Sequence, residues 1–334
     1  MMPCKEKYRA LCLDERSIPI FSQAWWLDAV CGQESWDVAI AQKAGRINGC
    51  LPFFITKSMG FKIITMPPLT QTMGPWFRYP ANQKYEKRLK FEKKVMSELI
   101  SQLPNVLRFR QNFHYSVTNW LPFYWHGFQQ TTHYTYVLDD LNAMNAIWVG
   151  LGENIRREIR KARKRFALRV VQNDDIDQFL KLNEMTFSRQ GKKFPYRSSI
   201  VRKLDMACQQ RQCRKILFAQ DKKNQSHAAI YIVWDDNSTY YLMGGADPSL
   251  RNSGASSLLI WEAIKFASTV SKSFDFEGSM IEPVEHFFRA FGSIQKPFSV
   301  ISKDKHPLLL HCLTLLKSGI RRHRSSNIAA SSPI

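Results

Sequence analysis

Residues 238–268 read STYYLMGGADPSLRNSGASSLLIWEAIKFAS. STYYLMGGADP has the aromatic and small residues of a strand, and SGASSLLIWEAIKFAS has the make-up of a helix. Between them lies a loop of small residues, Arg251-Asn252-Ser253-Gly254-Ala255-Ser256. At a strand-to-helix junction such a loop lets backbone N–H groups approach a phosphate, and the helix N-terminus favours its charge. Many helices that bind nothing begin the same way, so two readings stand.

Around this loop the second half runs helix, hairpin, long strand, loop, helix, strand and short helix. The hairpin is KILFAQDKKNQSHAAIYIVW (215–234) and the later strand is SFDFEG (273–278). The first half holds a similar unit. DVAIAQKAGRINGCLPFF (37–54) again gives an apolar strand ending in Ala-Gln, a polar turn and a second apolar strand. Each unit follows a helix; in the first half it starts near Gln23, with Ser22 as N-cap and Gly32 as stop. YEKRLKFEKKVMSELISQLP (85–104) is a charged amphipathic helix ended by Pro104. The repeat predicts two copies of one unit, joined near residues 139–150, in a mixed α/β fold (α+β mixed sheets).

Length and charge fit this picture. The 334 residues suffice for two domains, each of roughly 150 residues. A hydrophobic content of 44% excludes a disordered chain. Lys and Arg number 48 against 28 acids, a net charge of +20. That field favours phosphate-bearing partners: nucleic acid, CoA, nucleotide sugars or an anionic membrane face. The seven cysteines are odd in number and scattered apart from Cys208 and Cys213, so free thiols in a reducing cytosol and no metal site are expected. MMPCKEKYRALCLDERS lacks the apolar run of a signal peptide, and no stretch reaches the length of a spanning helix. The expected location is cytoplasmic, with peripheral contact at the inner membrane face as an option.

The Arg251–Ser256 loop resembles the Arg/Gln-x-x-Gly-x-Gly/Ala loop by which GNAT acyltransferases hold CoA, with Ser256 departing at the last position. FDFEGS followed by HFFRAFG, the basic NIRREIRKARKRF, and PPLTQTMGPWF together resemble the FemABX-like branch of that superfamily, over residues 18–302. The resemblance implies two tandem GNAT-like domains. Residues 1–140 would shape an acceptor cleft, 141–305 would bind the donor and host the chemistry, and 306–334 would form a basic C-terminal helix and tail. It implies an N-acyltransferase with acyl-CoA as co-substrate, held by Arg251, Ser253, Gly254, Ala255 and Ser256. The acceptor would be an amine of an amino sugar or peptide in a cell-envelope polysaccharide or peptidoglycan precursor. Aminoacyl-tRNA is the alternative donor; a non-catalytic basic binding protein is the alternative outside the enzymes.

The candidate chemistry lies in FDFEGSMIEPVEHFFRAFG (274–292). Strand alternation puts Asp275 and Glu277 on one face and Phe274 and Phe276 on the other. Ser279 and Glu282 have capping-box spacing. In the helix that follows, Glu282, His286 and Arg289 share one side, while Val284, Phe287, Phe288 and Phe291 share the other. N-acylation needs a deprotonated amine and a stabilised oxyanion. Glu277 or His286 can take the proton, with Asp275 beside them, and a positioned cation can hold the oxyanion. By resemblance to a Phe-Lys-x-x-Phe-Gly pattern, Arg289 is that cation. The competing reading pairs Arg289 with Glu285 on an exposed surface.

Other stretches carry two readings each. In GENIRREIRKARKRF (152–166) Ile155, Ile159, Ala162 and Phe166 fall on one side, and the cations outside them make either an RNA-binding face or a solvated one. TFSRQGKKFPYR offers Arg189, Lys192 and Tyr196, and PPLTQTMGPWF offers Thr70, Gln71 and Trp76, as acceptor-binding or merely structural groups. HPLLLHCLTLLKSGIRRHR (306–324) makes either a membrane-resting segment or a helix docked on the core.

Overall fold

The structure, a computed structural model, describes residues 3–306. The first half comprises α1 (Cys4–Asp14), α2 (Ala24–Cys31), β1 (Trp36–Lys43), β2 (Arg46–Ser58), β3 (Phe61–Thr65), β4 (Trp76–Phe77), α3 (Tyr85–Ser101), β5 (Arg108–Asn112), α4 (Leu121–Trp125) and β6 (Gln129–Leu138). The second comprises α5 (Met144–Gly150), α6 (Glu153–Lys164), β7 (Arg169–Gln172), α7 (Ile176–Arg189), α8 (Ser198–Gln210), β8 (Arg214–Gln220), β9 (Ser226–Trp234), β10 (Ser238–Ala246), α9 (Ala255–Ala267), β11 (Ser273–Asp275), α10 (Glu282–Arg289) and β12 (Ile294–Asp304).

The repeat is present in three dimensions. Hairpin β1–β2 leads to β3, crosses through α3 and returns as β5 parallel to β3. Hairpin β8–β9 leads to β10, crosses through α9 and returns as β11 parallel to β10. Both hairpins shift register at the shared dipeptide, between Ala41 and Gln42 and between Ala219 and Gln220. A β-bulge at the same place in both copies accounts for the common Ala-Gln signature.

The two units share one sheet, ordered β1-β2-β3-β5-β12-β6-β11-β10-β9-β8-β7, with β4 against β2. Its last strand, β12, returns to the first half. It pairs with β6 from Ile294↔Val137 to Ser302↔Gln129 and with β5 from Val300↔Asn112 onward. Pro297 precedes the β5 pairing, so its missing N–H breaks no ladder bond there. Side chains alternate across the sheet as period two requires. Leu217, Ala219, Ile230 and Ile232 face α6 and α9, while Ile216, Phe218, Tyr231 and Val233 face α2, α7 and α8. The buried stripe of α6 is Ile155, Ile159 and Ala162, as its spacing requires, with Phe166 half-buried beside it.

The small-residue loop departs from its expectation. Gly254 takes φ +78°, opens α9, and is buried beneath α6; a Cβ there would collide with the Glu158 carbonyl oxygen. Ser253 and Ala255 are buried with it. The glycine thus serves close approach of two helices, and the expected open phosphate cradle at Ser253, Gly254 and Ala255 is corrected; Arg251 stays exposed and Ser256 half-buried. Among the described residues no helix is long and apolar enough to cross a membrane. Of the proposed basic tail, 306–334, all but His306 lies outside the described residues.

Gly254→Ala should lower unfolding stability by about 1–3 kcal/mol, the cost of a strained φ, and the helix collision adds to it. Chemical denaturation measures this; an unchanged midpoint would mean that α6 does not press on the loop.

Candidate active site

β10 and β11 run parallel over three pairs only, Ser238–Tyr240 against Ser273–Asp275. β10 then continues to Ala246 while β11 stops. A register shift between Tyr241 and Met243 leaves Leu242 out of the β9 ladder, and a bulge of this kind re-aims the strand. Where the strands part, a cleft of about 560 Å³ opens, lined by β10, the chain after β11, α7, α10 and the first-half loop at Gln71.

Glu277 sits in that cleft. β11 ends at Asp275, so simple alternation does not carry on to residue 277. Glu277 takes φ +59° and Gly278 φ +62°. Two left-handed residues in succession turn the chain hard against β6, where a Cβ at Gly278 would strike the Tyr134 carbonyl oxygen. A left-handed glutamate is costly and persists only where its surroundings impose it. Here Asp275 imposes it: its Oδ1 accepts the Glu277 N–H at 2.8 Å and the hydroxyl of Thr135 on β6. Phe274 and Phe276 are both in the core, with rings 5.0 Å apart, and Phe276 packs on Phe288 at 5.2 Å.

The two carboxylates are in unusual surroundings. Both Glu277 oxygens are buried and without a hydrogen-bond partner of normal geometry. Burial raises the Glu277 pKa well above the carboxylate range, the Asp275 charge adds to the rise, and the Gln71 side chain partly offsets it. Burial also pushes Asp275 up to about 6, against the hydrogen bonds from Thr135 and the Glu277 N–H.

Of the candidates from the sequence, the cleft brings together Glu277, Gln71, Arg189, Lys192 and Tyr196. Arg189 and Lys192 are exposed at its rim. Tyr196 donates to the buried Asn183 Oδ1 at 3.2 Å, and Asn183 Nδ2 donates to the Gly244 carbonyl at 2.6 Å. Asn183 and Tyr241 were not singled out by sequence. An Asn on the buried stripe of α7, among Phe179, Leu180 and Leu182, was the signal available. Tyr241 also lines the cleft, and burial raises its phenol to about 12.

Other candidates are corrected. His286 and Arg289 lie on the solvent face of α10, because its apolar face, Val284, Phe287 and Phe288, is the one that lines the cleft. The Arg289 side chain is 60% exposed and pairs with Glu285 at 2.9 Å, the surface reading. Ser279 makes no capping box; its Oγ accepts the Ile281 N–H at 3.0 Å in a tight turn. Thr70 is buried, accepting the Trp26 indole N–H and donating to the Pro68 carbonyl, each at 3.0 Å. Trp76 packs in the core and donates to Ser17 Oγ at 3.0 Å. Both are structural. The Arg251–Ser256 loop contributes nothing to the cleft lining. No cluster of side chains suited to a metal occurs among the described residues.

Residues 152–278 match the family model described as an acetyltransferase (GNAT) domain. No curated protein matches the sequence. Among solved structures, the chain is similar to a crystal structure of FemX, at 12% identity and TM-score 0.64, covering 90% of this chain and 96% of that one. It is similar to a conserved protein of unknown function from Bacteroides thetaiotaomicron, at 12% identity and TM-score 0.56, covering 90% and 96%. It is also similar to L-PGS from Bacillus licheniformis, at 11% identity and TM-score 0.52, covering 94% and 96%. At such identities the likeness is one of fold, and it extends over both halves.

The raised carboxyl values make a pH prediction. The folded form holds these protons more tightly than the unfolded chain, so their contribution to stability is complete below about pH 4. It is lost as pH rises through the folded values, about 6 for Asp275 and the raised value of Glu277. Glu277→Gln, which carries no charge, should therefore be more stable than the native chain at about pH 8 and show no such gain at about pH 4. Thermal unfolding at the two pH values checks this; an equal difference at both would contradict the burial of a titrating carboxyl.

Proposed function

From a GNAT-type domain at residues 152–278 within a fold of the FemABX-like type, we propose an N-acyltransferase whose general base is Glu277. The observation that carries this reading is a buried carboxyl without a hydrogen bond of normal geometry, at the point where two parallel strands part into a cleft. A carboxyl that burial makes more basic than an ordinary glutamate is better matched to taking a proton from an amine. The amine nitrogen attacks the acyl carbonyl and its proton passes to Glu277. The tetrahedral oxyanion then collapses, and the thiol or alcohol of the donor leaves with a proton. The backbone at the Leu242 bulge and the Tyr241 hydroxyl are the candidate donors to the oxyanion, in place of Arg289. Asp275 is a positioning residue that holds the Glu277 backbone in its left-handed turn.

The acceptor we propose is an amine on an amino sugar or peptide of a cell-envelope precursor, used by a cytoplasmic enzyme. Residues 1–140 contribute Gln71 to its binding, and residues 141–305 hold the reacting groups. The donor is acyl-CoA, in keeping with the domain type, with its phosphates at the rim cations Arg189 and Lys192. The closed Arg251–Ser256 loop favours a second reading, an aminoacyl-tRNA donor, because a diphosphate has no open amide cradle at Gly254. Arg157, Arg160, Lys164 and Arg165 at α6 are exposed, beside the ion pairs Lys161–Glu158 and Arg163–Glu262, and suit a phosphate backbone.

Glu277→Gln should lower kcat by about 10²–10⁴-fold. Arg289→Ala and His286→Ala should leave it near the native value. Assays with acetyl-CoA, and with aminoacyl-tRNA before and after RNase treatment, separate the two donors. A Glu277→Gln enzyme with full activity would overturn the assignment of the base; RNase-sensitive turnover with no use of acyl-CoA would select tRNA.

A further inference from the structure

A second surface, sharing no residue with the Glu277 cleft, has the chemistry of a lipid contact. α4 is one short turn of helix whose inner side chains, Pro122 and Phe123, are buried against the first-half core. Its outer side chains are not: Leu121 is 50% exposed, Tyr124 59% and Trp125 55%. Three large apolar side chains side by side on one exposed turn are more than scattered surface hydrophobicity. They stand among cations. Lys93 of α3 lies 4.7 Å from the Trp125 ring. Lys303 of β12 donates to the His126 carbonyl at 2.6 Å, at the end of α4, and lies 5.0 Å from the Phe128 ring.

Beside this turn is a groove of about 270 Å³. Leu103, Val106, Phe109 and Phe128 give it an apolar floor, and Lys303 and Lys305 lie along it. An apolar slot with ammonium groups suits one amphiphile: an acyl chain that carries an anionic head. Tyr and Trp rings with a polar edge settle at the headgroup level of a bilayer, and lysines beside them meet anionic lipid. The net charge of +20 draws the whole molecule toward such a surface.

We infer that the turn Leu121–Trp125, with Lys93, Lys303 and Lys305 and the adjoining apolar groove, docks on an anionic lipid bilayer. Trp125, Tyr124 and Leu121 enter the interface, and the lysines pair with lipid phosphate. The inference stands apart from acyl transfer, since none of these residues lines the cleft.

Sedimentation of the full chain with vesicles tests it, using phosphatidylcholine alone and phosphatidylcholine with about one-third phosphatidylglycerol. The native chain should bind the anionic vesicles and not the neutral ones. The exposed-residue variant Leu121→Ser/Tyr124→Ser/Trp125→Ser should keep native thermal unfolding and lose roughly tenfold or more in partitioning. A second variant, Arg321→Ser/Arg322→Ser/Arg324→Ser, should retain at least part of the binding. Equal binding by the native chain and the α4 variant would overturn the proposal. So would failure of the native chain to bind, loss of all binding in the arginine variant alone, or an α4 variant that alters only oligomeric state, which would make this turn a contact between copies.

Discussion

The cleft exists because β10 and β11 hold each other for three residue pairs and then separate. The separation is enforced from both sides. β10 is displaced by a bulge at Leu242, and the chain after β11 is turned away by the left-handed pair Glu277–Gly278. The turn in turn depends on Asp275, whose carboxylate is fixed between β6 and the Glu277 backbone. A single carboxylate thus ties together a strand of the first half, the end of the last parallel strand and the candidate base. The return of β12 between β5 and β6 makes the same junction rigid, because β6 is paired along both edges.

Energetically the site is a local expense. A glutamate in left-handed conformation, with both oxygens desolvated and another carboxylate two residues away, opposes folding at neutral pH. The surrounding core offsets it: Phe274, Phe276, Phe288 and Phe291 are buried in one aromatic cluster around the turn. The cluster also explains the orientation of α10. Its phenylalanines must face the sheet, so Arg289 and His286 are left facing water.

Much of the fold was legible because it is local. Both hairpins read as apolar strands around a polar turn and share the Ala-Gln bulge, and α6 shows its buried stripe in three residues. β12 was not legible: IQKPFSVISKD carries charges and a proline, and only pairing with strands more than 150 residues away makes it a strand. α8 was not read either, although its buried Val201, Leu204 and Cys208 pack against Trp26 and Val30 of α2 in the equivalent helix of the first copy. In the site, Asp275 and Glu277 announced themselves as acids between phenylalanines. Their roles did not follow from alternation, since the strand ends between them. Gly254 looked like a phosphate loop because a glycine that admits a ligand and one that admits a neighbouring helix are identical in sequence; only the position of Glu158 tells them apart.

The central claim is that the Glu277 carboxyl is desolvated at the mouth of the parted strands. Infrared difference spectroscopy of the carboxylic C=O stretch, across pH and with the Glu277→Gln protein as reference, tests it most directly. The account predicts a protonated carboxyl band that persists above about pH 5, beyond the ordinary glutamate range, and is missing from the reference. A Glu277 band that vanishes at the pH of a solvent-exposed glutamate would contradict it.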